Sequence, residues 1–597
     1  MLTDEQIKAI TSTSNYILLI AGPGSGKTTV LTERIVNMID NWKVPENRIH
    51  AFTFTNKATR EMKERLSKRL NRFHNVEISN FHEYTFAYLS AFFIKDVQVL
   101  TDNRKEEIIK NMILERKLET LEVKDNCKEI SRIKNHLSIN EKLFSKRLQI
   151  IEIYYAYEEY LHSNNLIDFD GMNLEFLNIL KTDEGFREII QDEFDYILVD
   201  EAQDINWIQY EILKILTEKN NHLFMVGDSN QSIYSFRGSD LSILDKYTKE
   251  YDVELLHLTI NHRSTKKLVE ATNNCIKHNI NKFNAPLISS NDEGIEPIIK
   301  TVRYTTNAAE YIAGIIKKEV ESNQYKYNDY LILFRQNQSR GIYDHSLSYH
   351  GIPHYLFGIG FLEYKEIKLI TSYYNLILNH HDNEAFITIC NWPKRGIADV
   401  LLSKIRNEAY KTKKSYYDIA LEMNDSKLNS FIELINRLES QMHEMHYDGL
   451  FDEIVKIIQV EKLSKGYYDL ERRKNNISAF KQMYIEYIEE DHSRTFEGFI
   501  NQLSFKPNAD EPNNVVKLMT IHQAKGLESK VVFIVDARDE MMPGKKKGSN
   551  LEEERRVFYV ATTRAKEMLY IISTEKNGPN DKHRNVPSRF ISELKTE

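Results

Sequence analysis

The stretch YILLIAGPGSGKTTVLTERIVNMI, residues 16 to 39, decides how the rest of the chain is read. Its first five residues are a continuous apolar run of the kind that fills a buried parallel strand. Three glycines follow within five positions, and an amphipathic stretch with helical spacing comes next. Strand, glycine loop and helix in that order make a phosphate-binding loop. Gly22, Gly24 and Gly26 let backbone N–H groups approach a polyphosphate, the Lys27 ammonium reaches its outer phosphates, and the Thr28 hydroxyl is offered to Mg2+. Ala21, Pro23, Ser25 and Thr29 complete the loop, with Ala21 where the strict pattern has its first glycine.

A second apolar run, YILVDEAQD at 196 to 204, delivers two carboxylates to a strand tip. Beside a phosphate-binding loop, Asp200 is expected to help hold Mg2+ and Glu201 to act as general base on the attacking water. Further runs, HLFMVGD at 222 to 228, YLILF at 330 to 334 and VVFIV at 531 to 535, alternate with amphipathic stretches in the manner of an α/β protein. Two long segments, about 86 to 182 and about 361 to 512, lose that alternation. They are rich in Lys, Glu, Leu, Ile and Tyr with helical periodicity, and read as helical insertions in an α/β framework of parallel sheets.

The chain has 597 residues, which at roughly 150 per domain suits about four domains. Its 80 Lys and Arg against 88 Asp and Glu leave a formal charge of −8, so any nucleic acid must be held in a local groove. Cys127, Cys275 and Cys390 are too few and too scattered for a disulfide framework, a four-cysteine zinc site or a four-cysteine iron–sulfur cluster. The opening MLTDEQIKAI is acidic where a signal peptide is basic, and no apolar run approaches the roughly 18 residues of a membrane span. These features predict a soluble cytoplasmic protein without a membrane partner.

A series of segments, in register from Leu2 to about Phe590, carries a family resemblance. They are LTDEQIKAI, AGPGSGKTTVLTERI, AFTFTNKATREMKERL, ISNFHEYT, LIDFDGM, YILVDEAQDIN, VGDSNQSIYSFRGSD, LTINHRSTKKLVEATN, LILFRQNQSR, NWPKRGI, VKLMTIHQAKGLESKVVFI and EEERRVFYVATTRAKEMLYI. The chain resembles the UvrD/Rep/PcrA helicases of superfamily 1. The resemblance implies two RecA-like P-loop domains, 1–85 with 183–255 and 256–360 with 513–597, carrying mostly helical insertions at 86–182 and 361–512. It further implies an ATP-dependent DNA helicase that moves 3′ to 5′ on single-stranded DNA and uses ATP and Mg2+.

Residue roles follow from the same resemblance. Gln6 is expected at the adenine edge, Glu528 at the ribose, and Gln231 at the γ-phosphate or its attacking water. Arg263 and Arg564 are expected to act as arginine fingers from the second domain. His262 stands where relatives usually place a Tyr that stacks on adenine. The strand track is expected to use Phe54, Thr55, Asn56, Phe81, His82, Tyr234 and Phe236, the last in place of the usual Trp. Base stacking on aromatic rings holds single strands without reading sequence. Arg237, Arg335, Asn337, Arg340, Thr520 and His522 are expected to touch phosphates or couple cleft to track.

Outside the shared segments, residues 124 to 148 hold seven basic side chains (Lys124, Lys128, Arg132, Lys134, Lys142, Lys146, Arg147) against three acidic ones. They read either as a surface for duplex phosphates or as a solvated helix face. NWPKRGIADVLLSKI at 391 to 405 resembles a duplex-contacting element of the second insertion, with Ala398 in place of a glycine. The short tail after the last segment predicts a motor that meets its partners elsewhere. Expected partners are single-stranded DNA, single-strand/duplex junctions and a nuclease or repair protein, with the chain itself monomeric. Three other readings stay open: a translocase that strips proteins from DNA with little unwinding, a motor subunit of a repair or phage-defence complex, and a P-loop switch or kinase without nucleic acid.

Overall fold

The computed structural model describes residues 2–94, 97–116, 118, 122–135, 148–219, 222–235, 238–280, 283–336, 340–357, 362, 364–412, 414–444, 447–464, 467–490, 496, 498–500, 514–544, 550–578, 581 and 583–595. The fold is α/β with parallel sheets, and the chain divides into two compact units, Met1–Leu356 with Pro512–Glu597, and Phe357–Glu511.

The first unit holds two six-stranded sheets. Strands β1 (Tyr16–Ala21), β2 (Ile49–Thr53), β3 (Glu77–Asn80), β4 (Tyr196–Val199), β5 (Leu223–Gly227) and β6 (Val253–Leu258) form the first, in the order β3-β2-β4-β5-β1-β6. Every pairing is parallel. The apolar runs are strands because both sheet faces are covered. Leu18 and Ile20 of β1 enter a core with Phe176, Ile208 and Leu213, while Ile17 and Leu19 enter the opposite core with Val30, Leu31 and Ile35 of the helix Lys27–Asp40.

Strands β7 (Ile298–Val302), β8 (Tyr330–Phe334), β9 (His354–Leu356), β10 (Val516–Thr520), β11 (Ser529–Ile534) and β12 (Ala565–Thr574) form the second sheet, in the order β7-β12-β11-β8-β10-β9 and again parallel. Parallel sheets place the loops after all strands on one edge, the edge where such folds bind ligands. Asp200, Asp228, Arg335 and His522 all sit in loops of that kind.

The segment 86–182 is mainly the helices Asp102–Glu115, Val123–Asn135, Leu148–Ser163 and Phe169–Thr182. It also contains a parallel strand pair, Gln98–Leu100 with Leu166–Asp168, where the sequence pattern shows almost none. Three-residue strands are too short to display a period of two. The second unit is helical among its described residues, built on Lys365–Leu378 and its neighbours, with Tyr373, Phe386, Phe431, Phe451 and Phe480 in one core. In NWPKRGI, the Arg395 guanidinium is turned into this unit, donating to the carbonyls of Ile389 and Trp392 at 2.9 and 2.7 Å. Lys394 and Ala398 are exposed. Among the described residues no helix is long and apolar enough to cross a membrane.

Candidate functional site

The glycine loop is held from several sides. Gly24 and Gly26 have φ of +71° and +92°, a region that L side chains rarely adopt. A Cβ on Gly24 would lie 2.6 Å from Arg263 Cβ, and one on Gly26 2.7 Å from Gln6 Nε2. The turn is closed by Ser25 Oγ donating to the Gly22 carbonyl at 2.7 Å, and Lys27 Nζ donates back to the Ala21 carbonyl at 3.2 Å. Thr28 is half-buried and Thr29 exposed. Gln6 serves the loop differently from the sequence reading: Nε2 donates to the Ser25 carbonyl at 3.0 Å, while Oε1 accepts the Thr3 N–H at 3.0 Å in a helix-capping box. One amide N–H is left for a base edge. His262 is exposed beside the loop, its N–H donating to the Gly24 carbonyl at 2.9 Å and its Nδ1 lying 2.9 Å from Ser290 Oγ.

Strand β4 ends in the two carboxylates. Asp200 is buried; its N–H donates to the Phe52 carbonyl, and its Oδ1 accepts the Glu201 N–H at 2.9 Å. Glu201 has φ of +52°, a left-handed conformation that costs a non-glycine residue about 1–3 kcal/mol and tends to cluster at functional sites. Burial, and then the neighbouring Glu201 charge, push the Asp200 carboxyl above its ordinary range. Burial opposes ionisation of Glu201 too, but Lys27 and Lys525 outweigh it and hold that carboxyl below its ordinary range.

Donor chemistry here fits a magnesium nucleotide. Among the described residues no group of three or more His, Cys, Asp or Glu could form a dedicated cation site. Mg2+ bound through phosphates and water needs only one or two carboxylates, and Asp200, close enough to feel the Lys27 charge beside Thr28, would supply one.

The second sheet contributes the opposite wall. Arg564 is fully buried; it donates to Gln231 Oε1 at 3.0 Å, to the Val560 carbonyl at 2.9 Å and to the Leu527 carbonyl at 3.1 Å. Burial, then repulsion from Arg263, brings its guanidinium down to about 9. Gln231 in turn donates to Asp228 Oδ2 at 2.7 Å. Arg263 is held by Glu528 at 2.5 Å and by the Thr563 carbonyl at 3.1 Å, and Glu528 is shared with Lys566 at 2.6 Å. The two side chains expected at γ-phosphate and ribose therefore pair with each other, since opposite charges on adjoining loops gain by contact.

The expected track residues divide into several groups. Phe54 is half-buried against Tyr234, ring centroids 5.0 Å apart, and the Tyr234 hydroxyl donates to the His522 carbonyl at 2.9 Å. Thr55 caps the helix Asn56–Leu70, and Asn56 Oδ1 accepts from Asn80 at 2.5 Å. His82 is half-buried beside Phe169, Thr520 donates its N–H to Gln523 Oε1, and Arg340 opens the helix Arg340–Tyr349. Phe81 departs from expectation: it is 6% exposed and stacked on Phe52 at 4.3 Å, because the first residue of its helix faces the sheet. Arg335 departs too, forked onto the Glu554 carboxylate at 3.0 and 2.5 Å. Phe236, Arg237 and Asn337 lie outside the described residues. Of the basic run, Lys124, Lys128 and Arg132 share an exposed helix face, Lys134 is buried in ion pairs, and Lys142, Lys146 and Arg147 lie outside the described residues.

Family models match both halves of the chain: the UvrD/REP helicase N-terminal domain over residues 2–252 and the UvrD-like helicase C-terminal domain over residues 256–576. The chain belongs to the UvrD/REP helicase family. Among its relatives, the protein named ATP-dependent DNA helicase PcrA of Staphylococcus aureus (strain MRSA252) is 31% identical over 99% of this chain and 86% of its own length. The protein of the same name from Staphylococcus epidermidis (strain ATCC 12228 / FDA PCI 1200) is 30% identical over the same shares.

In this UvrD-family helicase, sequence reasoning missed Lys525. It lies in the quoted TIHQAKG segment, but only the fold shows what it meets. Its ammonium is ion-paired with Asp204, donates to the Gln231 carbonyl at 2.7 Å, lies 3.9 Å from Glu201 and sits 5.3 Å from the centroid of the Tyr234 ring. Arg556, which donates to the Ser232 carbonyl at 2.9 Å, was missed for the same reason.

Proposed function

We propose that this helicase couples Mg-ATP hydrolysis to 3′-to-5′ movement along single-stranded DNA and to unwinding of the duplex ahead of it. The observation that carries this reading is the sharing of Lys525 and Tyr234 between nucleotide cleft and track. One ammonium touches Asp204, the Gln231 carbonyl and the face of a ring packed on Phe54. A base stacked beside Phe54 and Tyr234 would shift the group that sits 3.9 Å from Glu201. The direction of movement rests on the family resemblance.

In this reading the loop N–H groups and Lys27 bind the phosphates, and Thr28 and Asp200 hold Mg2+, which supplies charge neutralisation at the phosphates. Lys27 and Lys525 keep Glu201 ionised, so its free carboxylate oxygen accepts the proton of the attacking water. Gln231 orients that water. Arg564 and Arg263 stabilise charge on the transferred group, while Glu528, Gln6 and His262 face the nucleoside. Exclusion of bulk water falls to the buried second wall.

The test is directional. Strand separation should require a 3′ single-stranded tail and fail on blunt or 5′-tailed duplex at equal protein concentration. Equal unwinding from both tails would overturn the direction, and ATPase activity indifferent to DNA would overturn the motor.

A further inference from the structure

The helix Val123–Asn135 ends in a buried charge lattice that the nucleotide chemistry does not use. Lys134 Nζ lies 2.7 Å from Asp168 Oδ1 and 2.6 Å from Glu158, and Lys105 lies 3.0 Å from both Asp168 and Asp170. The Tyr157 hydroxyl donates to Asp168 Oδ2 at 3.1 Å, and both ammoniums lie over its ring. Ser131 donates to Asp170 at 2.6 Å. Cations and carboxylates interleave, so each buried charge has a counter-charge, and satisfied networks of this kind tend to specify one arrangement.

Asn135, the next residue, links the lattice to the chain of the ATPase core. Its Nδ2 donates to Asp170 Oδ1 at 2.8 Å, and its Oδ1 accepts from Asn206 Nδ2 at 2.7 Å. Asn206 caps the helix Trp207–Thr217, two residues after Asp204, and bridges to Ser239. Gly238 has φ of +89°, and a Cβ on it would lie 2.8 Å from Asn135 Cβ. The backbone at 238–239 thus runs against Asn135. On the other flank of the same loop, Ser235 Oγ donates to the Glu553 carboxylate of the second wall. Between Ser235 and Gly238 the sequence holds Phe236 and Arg237, proposed above for stacking and phosphate contact.

We infer that Asn135 is a positioning residue: it keys the first insertion to the backbone at 238–240 and to the capped start of the helix Trp207–Thr217, so that the insertion positions the chain beside the track while the phosphate cradle stands apart. It touches neither nucleotide nor DNA. Its significance for turnover rests on the proposed function; the positioning claim does not.

Two variants break the contact from opposite sides. Asn135→Ala removes both bonds, while Asn206→Asp replaces the donor to Asn135 by an acceptor that faces the Asn135 oxygen and keeps the helix cap, because Asp caps as well as Asn. Backbone amide exchange at 238–240 should quicken about tenfold or more in both, with the glycine loop at 21–29 unchanged. DNA-stimulated kcat should fall about five- to twentyfold in both, while basal turnover of Asn135→Ala stays within about twofold. The double variant should be no worse than either single one. Unchanged exchange at 238–240, or basal and stimulated turnover of Asn135→Ala falling by one common factor, would overturn the inference. If the wild-type protein showed no stimulation by DNA, the proposed function would fail, and the exchange measurement would still decide the positioning.

Discussion

In the proposed reaction Lys27, Glu201 and Arg564 act at three corners of one cleft, and each has partners that make its removal readable. Lys27→Ala, Glu201→Gln and Arg564→Ala should each lower DNA-stimulated kcat by about a hundredfold or more. Glu201→Gln should keep nucleotide affinity, since the cradle around Gly24 and Gly26 is untouched; a fluorescent-nucleotide titration beside steady-state kinetics checks both. His262 is the second residue worth changing. Its ring is exposed and tethered by Ser290, and its backbone is fixed to Gly24. A phenol offers more stacking surface, so His262→Tyr should lower KM for ATP by about two- to tenfold and for CTP by less. Identical KM values for ATP in wild type, His262→Tyr and His262→Ala would mean that this position does not touch the nucleotide.

At the scale of elements, the helix Val123–Asn135 shows how a basic run can be misread. Lys124, Lys128 and Arg132 are exposed, but Lys134 falls on the opposite face, buried against Asp168. Burial opposes ionisation of Asp168, yet Lys134 and Lys105 more than compensate and hold its carboxyl below the ordinary range. Asp168→Ala would leave two ammoniums without their shared counter-charge. Breaking a buried pair in this way costs about 3–5 kcal/mol, so the first insertion should unfold at markedly lower urea, measured by exchange of amides in 102–163. The carboxyl is ionised above the unfolded pKa near about 4, so this stabilisation is present at neutral pH. It is lost only as pH falls toward the depressed folded value.

Across the whole molecule, the first unit is organised by side chains that join one sheet to the other. The helix Leu551–Thr562, which leads into the second sheet, sends Glu553 to Ser235 and Arg556 to the Ser232 carbonyl in the loop after β5 of the first sheet, and Arg564 just beyond its end donates to Gln231. Lys525 makes the most consequential of these links. Lys525→Met should lower basal hydrolysis, because it removes one of the two ammoniums that hold Glu201 ionised, and should lower the ratio of DNA-stimulated to basal turnover further, because it cuts the link between Tyr234 and the carboxylates. Stimulation preserved in this variant would show that DNA reaches the cleft by another route.

The sequence by itself determined the glycine loop between strand and helix, the strand that delivers Asp200 and Glu201, the α/β class and the family, because each is written in contiguous residues: a glycine spacing, an apolar run, a motif. It also placed the helical character of the two inserted segments, since a period near four survives without tertiary context. Only the tertiary structure decided which face of a motif looks inward. Phe81 stacks on Phe52 in the core while Phe54, in the neighbouring motif, stays beside Tyr234. Arg335 and Lys134 carry the same charge as a phosphate contact would need, but each is already matched to a carboxylate more than 30 residues away in the chain. Lys525 reaches Asp204 across more than 300 residues for the same reason. Pairing of charges over such separations is set by where the parallel sheets bring their loops together, and no local pattern records it.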